Sequence, residues 1–560
     1  MTTIFLFLML VSACYASSEL PVVDLGYNLH QAFSLNSTSG LYNFSNIRYA
    51  APPVGDLRFR APVWPEQNRT EVQTGAVGRI CPQALPIWTT DIEPQFLLSL
   101  LYNTTFNQST DISSYPYVPA KLDPRTTEDC LFMDVVVPRK IFHRTHGKSF
   151  VPRNALAPVL VWLVGGGYVK GDKSSNDPTG LIERSMVVGD GIVYVSINYR
   201  LGAFGWLGGE AVIANGTANA ALHDQRHALD WVHKNIHLFG GDPARVTVMG
   251  ESSGGGSLMH QITAYGGKAG PSPFKQAILQ SPGWSPVVDE ELQEQTFQDF
   301  LGILNVSTLD EARNLPTEKL IAGNAKQIAT KATWGDFVYG PVVDGSFVPD
   351  LPGKLLLQGS FDPNLRVMVG HNANEGLVFT SPAGRNGSAL GDLLKIQFPN
   401  IKPSVTNFIT NDLYPANYSG FYGYTSPFER NAVLLADLAF VCNTDYLNRA
   451  YSNHTYAYEF SIPPALHGQD SLYIFYNPGS TGFNAGLSAL DVSNGTVAFV
   501  LQDYLTSFAQ SGHPSSPLGP IFEQYGQRGS LMNIANPAIG PIRDPTDSPR
   551  CRFWQTAPFK

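Results

Sequence analysis

Several things are scarce in this chain, and each scarcity closes off a class of function. Only 15% of the 560 residues are charged, and acids outnumber bases to a formal net charge of −9. No basic cluster or stripe occurs, which argues against a nucleic-acid partner or an anionic membrane surface. No heptad run or internal repeat is present, so coiled-coil and solenoid architectures are set aside. There are five cysteines, and no two have the close spacing of a zinc site, so no metal is expected. Apolar runs of membrane length are missing too. The stretch from Ile4 to Cys14 is too short to cross a bilayer. Small residues follow it, and Cys14-Tyr15-Ala16 fits a signal-peptidase site. Residues 1–16 therefore read as a secretory signal and residues 17–560 as one mature domain. The last residues, Cys551 to Lys560, carry neither a lipid-anchor tail nor an ER-retention signal. A secreted, extracellular protein with no stable membrane anchor is expected.

What is present agrees with that compartment. Eleven Asn-x-Ser/Thr sequons occur, at Asn36, Asn43, Asn68, Asn103, Asn107, Asn215, Asn305, Asn386, Asn417, Asn453 and Asn494. Their density suits an extracellular glycoprotein. Cys14 leaves with the signal, and the other four cysteines (Cys81, Cys130, Cys442 and Cys551) are an even number in an oxidising compartment. Four cysteines allow three pairings, among which spacing does not choose. Hydrophobic residues make up 43% of the chain, enough for the large core of a single globular unit.

Strand-like runs at Pro158–Val164, Ile192–Asn198, Arg245–Met249, Arg366–Gly370 and Thr455–Phe460 are bounded by Gly, Asn or Asp. A helical pattern lies over Ala221 to Ile236. Near-continuous apolar strands alternating with helices predict a mostly parallel sheet covered on both faces, with ligands beyond the carboxyl ends of its strands. Three motifs fall at such ends. Gly250-Glu251-Ser252-Ser253-Gly254 follows the third run and has the Gly-x-Ser-x-Gly pattern of a nucleophile elbow. There the chain turns so sharply that the flanking positions leave no room for side chains, and Ser252 presents its hydroxyl above a helix N-terminus. Val164-Gly165-Gly166-Gly167-Tyr168 follows the first run. Its unshielded N–H groups suit an oxyanion, and Gly166 and Gly167, with the N–H of Ser253, are the expected donors. The base and its orienting acid should follow the nucleophile in chain order. Of His260, His371, His454, His467 and His513, His467 lies in a loop just past a strand. Glu375 occupies the same kind of position after Arg366–Gly370. Glu251, beside the nucleophile, is expected to add negative potential near the imidazolium.

These residues resemble the type-B carboxylesterase/cholinesterase family, and the resemblance runs from about Val22 to Phe559. Phe44 to Phe59 is similar to its N-terminal block, and Glu128-Asp129-Cys130-Leu131 to its second signature. Asn198-Tyr-Arg-Leu-Gly202, Asp224-Gln225 and Phe239-Gly-Gly-Asp-Pro243 precede the elbow in family order. Pro341-Val-Val-Asp-Gly345, Asn374-Glu375-Gly376, His467-Gly468 and Cys551-Arg-Phe-Trp554 follow it. The resemblance implies an α/β-hydrolase fold, a Ser252–Glu375–His467 triad, an oxyanion hole at Gly166, Gly167 and Ser253, and no cofactor. It implies disulfides Cys81–Cys130 and Cys442–Cys551, each contributing roughly 4 kcal/mol in the chain-entropy model. It also implies that the loop 81–130 acts as a lid, with Ile92, Phe96, Leu97, Leu100 and Leu101 as an apolar underside. Departures are Val164 for an aromatic or histidine, Ser253 for alanine and Arg48 for proline. Trp88 is the only tryptophan of the 81–130 loop and stands away from the position of the cholinesterase cation-binding indole, so choline esters are not expected. The function implied is a secreted serine carboxylic-ester hydrolase acting on a small-molecule or lipid ester. The alternatives are an esterase or acyl transferase of secondary metabolism, as in similar fungal proteins, and a catalytically silent adhesion or binding relative.

Overall fold

The computed structural model describes residues 20–148, 151–284, 290–385, 389–478 and 491–559. The expected signal segment 1–16 and the sequon at Asn386 lie outside them. A sheet of eleven strands organises the chain. Its strands are β1 (Ser34–Asn36), β2 (Leu41–Arg48), β3 (Phe132–Pro138), β4 (Ala157–Leu163), β5 (Val193–Ile197), β6 (Gly241–Glu251), β7 (Gln276–Gln280), β8 (Arg366–Asn372), β9 (Tyr456–Phe460), β10 (Ser530–Ile534) and β11 (Gly540–Arg543). In space they run β1-β2-β3-β5-β4-β6-β7-β8-β9-β10-β11. From β5 to β10 every pairing is parallel, and the antiparallel pairings lie at the two ends.

The five strands read from the sequence are all present, with ends shifted by a few residues. Every residue of β4, β5 and β7 is buried. A strand buried along its whole length needs helices on both faces, which is why these segments lack polar/apolar alternation. The helix α1 (Glu93–Leu101) lies within the loop 81–130, and among the covering helices are α2 (Thr179–Val187), α3 (Ala220–Asn235), α4 (Ser253–Ile262) and α5 (Gly495–Ser511). Here α5 packs across β4 and β6, and it is tied to α2 by Arg184, whose guanidinium grips Asp503 through two bonds of 2.8 Å.

Buried ion pairs hold the loops at the carboxyl edge. Arg200 chelates Asp224 at 2.8 and 2.7 Å, and Arg58 chelates Glu128 at 2.8 and 2.6 Å. Each joins segments far apart in sequence, and a bidentate fork satisfies both charges where water is excluded. Arg48, the departure from proline, chelates Asp129 at 2.6 and 2.8 Å while its guanidinium lies over the Phe132 ring. The cysteines pair Cys81–Cys130 and Cys442–Cys551.

The loop closed by the first disulfide packs closely on the body. Trp88, Ile92, Phe96 and Leu97 are buried. Phe96 meets Phe106, Trp334 and Phe428 edge-on, and Trp88 lies against Trp334 and Phe337. Leu100 and Leu101 are only half-buried, so the apolar side of α1 turned inward is its first two turns.

Candidate active site

The elbow forms where β6 ends. Ser252 sits at φ 56°, ψ −124° between β6 and α4, a conformation that non-glycine residues adopt only when their surroundings enforce it. The enforcement is visible. The N–H of Ser252 donates to the Gln280 carbonyl, and its own carbonyl accepts from Gly256 and Gly283. A Cβ on Gly254 would lie 2.1 Å from the Leu163 carbonyl oxygen, and one on Gly250 would lie 2.6 Å from the Gly254 backbone. Glycine at both places is thus a packing requirement of the crossing between β4 and the elbow.

The structure brings Ser252, His467 and Glu375 together from 215 and 92 residues apart. Ser252 Oγ lies 2.8 Å from His467 Nε2. On the other side of the ring, Nδ1 pairs with Glu375 Oε2. The second oxygen, Oε1, accepts from the Ser281 hydroxyl and from the Asn372 N–H, each at 2.6 Å. Asn372 Nδ2 then reaches Asp470 at 3.1 Å, which also accepts from the Tyr458 hydroxyl at 2.8 Å. The imidazole is walled by two rings, Phe379 at 5.0 Å and Phe440 at 4.4 Å.

Charge follows from this packing. Burial pushes the Glu375 carboxyl up, but the His467 cation, the Ser281 hydroxyl and the Asn372 N–H outweigh it and hold Glu375 below the usual carboxylate range. Burial likewise opposes the His467 cation, yet the Glu375 carboxylate outweighs it and holds the imidazole above its ordinary value. Glu251 stands beside this pair. Its Oε1 is 3.6 Å from His467 Nε2, as the expected electrostatic role demands. However, Oε1 has no hydrogen-bond partner among the described residues, and burial pushes the carboxyl up to about 8. Burial and the neighbouring His467 cation thus act on this carboxyl in opposite directions.

Gly166 and Gly167 lie in the loop after β4, with φ of +121° and +63°, and Gly167 lines the cavity at Ser252. A Cβ on Gly166 would strike the Lys170 carbonyl at 2.2 Å, and one on Gly167 the Phe337 ring at 2.5 Å. No acceptor among the described residues takes the N–H of Gly166, Gly167 or Ser253. Gly167 and Ser253 line the cavity at Ser252, and free N–H donors beside a hydroxyl-imidazole-carboxylate relay can stabilise an oxyanion formed by attack on a carbonyl. The other histidines lie elsewhere. His260 is bonded to the Gly256 carbonyl at 2.8 Å and His371 lies 3.6 Å from Glu459, both buried, and His513 meets the Tyr456 hydroxyl at 2.9 Å.

A cavity of about 60 Å³ opens at Ser252, lined by Gly167, Ser253, Trp284, Phe337, Phe379 and Phe440 among others. Trp284, Phe379, Phe440, Ser281, Asn372 and Asp470 were not singled out in the sequence. Two of them had a readable signal. Ser281 and Asn372 terminate parallel strands β7 and β8, at the edge where sites in such sheets form. Trp88, by contrast, is enclosed: its face lies against neighbouring rings and its N–H donates to the Asp336 carbonyl at 2.9 Å.

Comparison with known proteins fits this geometry. The family model described as "Carboxylesterase family" matches residues 31–554. A protein named "Carboxylesterase patB" from Aspergillus clavatus is 41% identical, covering 99% of each chain, and one of the same name from Penicillium expansum is 38% identical over 97% of each. "Lipase 1" of Geotrichum candidum is 29% identical over 77% of this chain and 80% of its own. Among solved structures, Aspergillus niger EstA superposes with a TM-score of 0.78 at 27% identity, covering 97% of this chain and 99% of EstA. The large, mostly parallel, helix-covered sheet is that of an α/β-hydrolase, and the chain belongs to the carboxylesterase family, enzymes that hydrolyse carboxylic esters.

Proposed function

We propose that the protein is a secreted serine carboxylesterase working through an acyl-enzyme on Ser252. The observation that carries this reading is the 2.8 Å contact of Ser252 Oγ with a His467 ring whose far nitrogen is held by Glu375. His467 takes the Ser252 proton as the oxygen attacks the ester carbonyl, and the N–H groups of Gly166, Gly167 and Ser253 bind the resulting oxyanion. Collapse expels the alkoxide, which leaves as alcohol with the proton from His467. Water, deprotonated by the same imidazole, then releases the acid and restores Ser252. No step requires a cofactor. A fluorophosphonate probe should label the peptide containing Ser252 and abolish hydrolysis of p-nitrophenyl acetate; full activity in protein labelled at Ser252 contradicts the assignment. Retention of all three relay residues disfavours the reading as a silent binding protein.

The neutral imidazole is the working base, so activity rises with pH through the His467 titration. Because Glu375 holds that ring above an ordinary imidazole, the acidic limb of kcat/KM is expected to have its midpoint above about 6.5. Glu251→Gln removes a group that favours the cation and should move that limb toward lower pH. A profile flat down to about pH 4 would rule His467 out as the base.

Secretion is supported by the two disulfides and by the kinship with a protein named "Secreted lipase" from Arthroderma benhamiae, 32% identical over 63% of this chain. Among the described sequons, Asn36, Asn68, Asn103, Asn107, Asn305 and Asn417 are exposed, and these are expected to carry glycan. The Asn43, Asn215, Asn453 and Asn494 side chains are half-buried; Asn494 caps α5 by accepting from the Thr496 N–H. Glycopeptide mapping that found Asn43 occupied and the exposed sites bare would reverse this order. The disulfide-closed loop 81–130 is proposed to roof the site. Ile87, Thr110, Asp111, Ile112, Ser113 and Tyr115 wall a cleft that reaches Phe379, so deleting Phe96–Leu101 should change the ester chain-length profile; an unchanged profile in a folded variant would end the roof assignment.

A further inference from the structure

The glycine loop after β4 runs straight into a residue that its backbone does not favour. Gly166, Gly167 and Tyr168 stand in succession at φ of +121°, +63° and +66°. Glycine takes such angles freely, whereas a bulky side chain takes them only where its surroundings compel it. A third glycine would relieve the backbone, so what the tyrosine side chain contributes must outweigh that relief. Its contacts show the contribution. The ring is buried and meets Trp206 edge-on at 4.7 Å. Beyond the ring, the hydroxyl donates to the Gly283 carbonyl at 2.8 Å. A carbonyl can only accept, so the direction of this bond is fixed.

The bond joins two segments that an oxyanion site has to keep in register. On one side is the glycine loop. Gly165 packs so closely on the nucleophile that a Cβ there would lie 3.0 Å from Ser252 Cβ, and Gly167 lines the cavity with Ser252. The start of the loop is pinned by the Tyr199 hydroxyl, which donates to the Val164 carbonyl at 2.5 Å. On the other side, Gly283 follows β7, and its N–H donates to the Ser252 carbonyl at 2.9 Å. Tyr168 thus ties the glycine loop to the residue that is itself bonded to the nucleophile's backbone. Both partners of the bond line the cavity at Ser252. Space for it is reserved as well. A Cβ on Gly256, in the first turn of α4, would lie 2.5 Å from the Tyr168 hydroxyl and 2.2 Å from the Gly283 carbonyl oxygen. The Ser257 hydroxyl, which accepts from Gln225 Nε2 at 3.0 Å, stands beside the same phenol.

We propose, resting on the serine-esterase reading above, that Tyr168 is a positioning residue of the reaction. Its hydroxyl sets the glycine loop against Ser252 so that the loop N–H groups meet the oxyanion. Tyr168→Phe tests this, because it keeps the ring and removes only the bond to Gly283. Losing an oxyanion donor outright costs about 10²–10³, and donors that are displaced but present should cost less. Per active site, counted by fluorophosphonate labelling, kcat for p-nitrophenyl acetate is expected to fall about tenfold with KM within about threefold. A hydroxyl that served stability alone would lower the thermal midpoint without this split.

Two ketones separate the roles further. Ser252 Oγ can bond to the carbonyl carbon of trifluoromethyl hexyl ketone, its proton passing to His467 and the carbonyl oxygen becoming an oxyanion. Methyl hexyl ketone is far less electrophilic and serves as the ground-state control. In Tyr168→Phe the trifluoromethyl ketone should bind about tenfold more weakly, in parallel with kcat/KM, and methyl hexyl ketone equally well. Four results would overturn the proposal: unaltered kcat per site, a lowered kcat with undiminished affinity for the trifluoromethyl ketone, equal weakening of both ketones, or a variant that does not fold. Wild-type protein that neither hydrolyses p-nitrophenyl acetate nor labels at Ser252 would instead remove the serine-esterase reading beneath it.

Discussion

Ser252→Ala is expected to lower turnover of p-nitrophenyl acetate by about 10⁶, the scale on which removing the nucleophile of a relay collapses the whole pathway. The substitution is clean for a structural reason. The strained turn is held by backbone bonds, from the Ser252 N–H to the Gln280 carbonyl and from Gly256 and Gly283 to the Ser252 carbonyl. None involves the hydroxyl. Alanine retains the Cβ and meets the same neighbours, so only the bond from Oγ to His467 Nε2 is lost. The thermal midpoint should stay within a few degrees of wild type while hydrolysis disappears. Residual turnover above about 1% of wild type in a folded variant would show that another group attacks the ester.

The second large effect is Glu375→Gln, expected to cost about 10⁴ in kcat with little change in fold. The argument lies in the donors around the carboxylate. Glu375 Oε1 accepts from the Asn372 N–H, a backbone donor that has no alternative role, and from Ser281 Oγ. A glutamine must therefore turn its oxygen toward Asn372 and its amide nitrogen toward His467 Nδ1. That nitrogen is a donor, so Nδ1 must accept and the ring proton moves to Nε2. An imidazole carrying its proton on Nε2 cannot take one from Ser252. The opposite rotamer would place two donors face to face at Asn372, which is costly in a fully buried site. Glu375→Asp separates this tautomer effect from simple loss of the acid: a shortened carboxylate keeps the correct ring form and should retain more activity than glutamine. Glutamine performing as well as aspartate would contradict the tautomer account.

Legibility differed with the range of the interaction. The elbow was readable because its cause is local: a β-branched strand, a turn that excludes Cβ atoms and a helix start lie within a dozen residues. The glycine loop at Gly166 and Gly167 was readable for the same reason. His467 and Glu375 could be placed at strand ends, but choosing them over His371 or His513 depended on family resemblance. Their meeting depends on β7, β8 and β9 lying side by side in parallel register. The environment of Glu251 was not legible, because charge in a sequence is formal, whereas ionisation depends on burial and partners. Its Oε1 is buried without a hydrogen-bonding neighbour among the described residues, and burial pushes the carboxyl up. The rings around His467 carried no local signal, since Phe379 and Phe440 read as ordinary core residues along the chain.

The sequence alone marked the proposed nucleophile, the strand–turn–helix that presents it and the glycine loop after β4, and raised the expectation of an exported, glycosylated chain. These rest on short-range sterics and composition, which a linear string records. Only the tertiary structure decided how burial acts on each carboxyl, what walls the imidazole, and which side chains line the cavity at Ser252. Those properties arise from side chains far apart in the chain excluding water from one another, and solvent exclusion belongs to the packed assembly rather than to any segment of it.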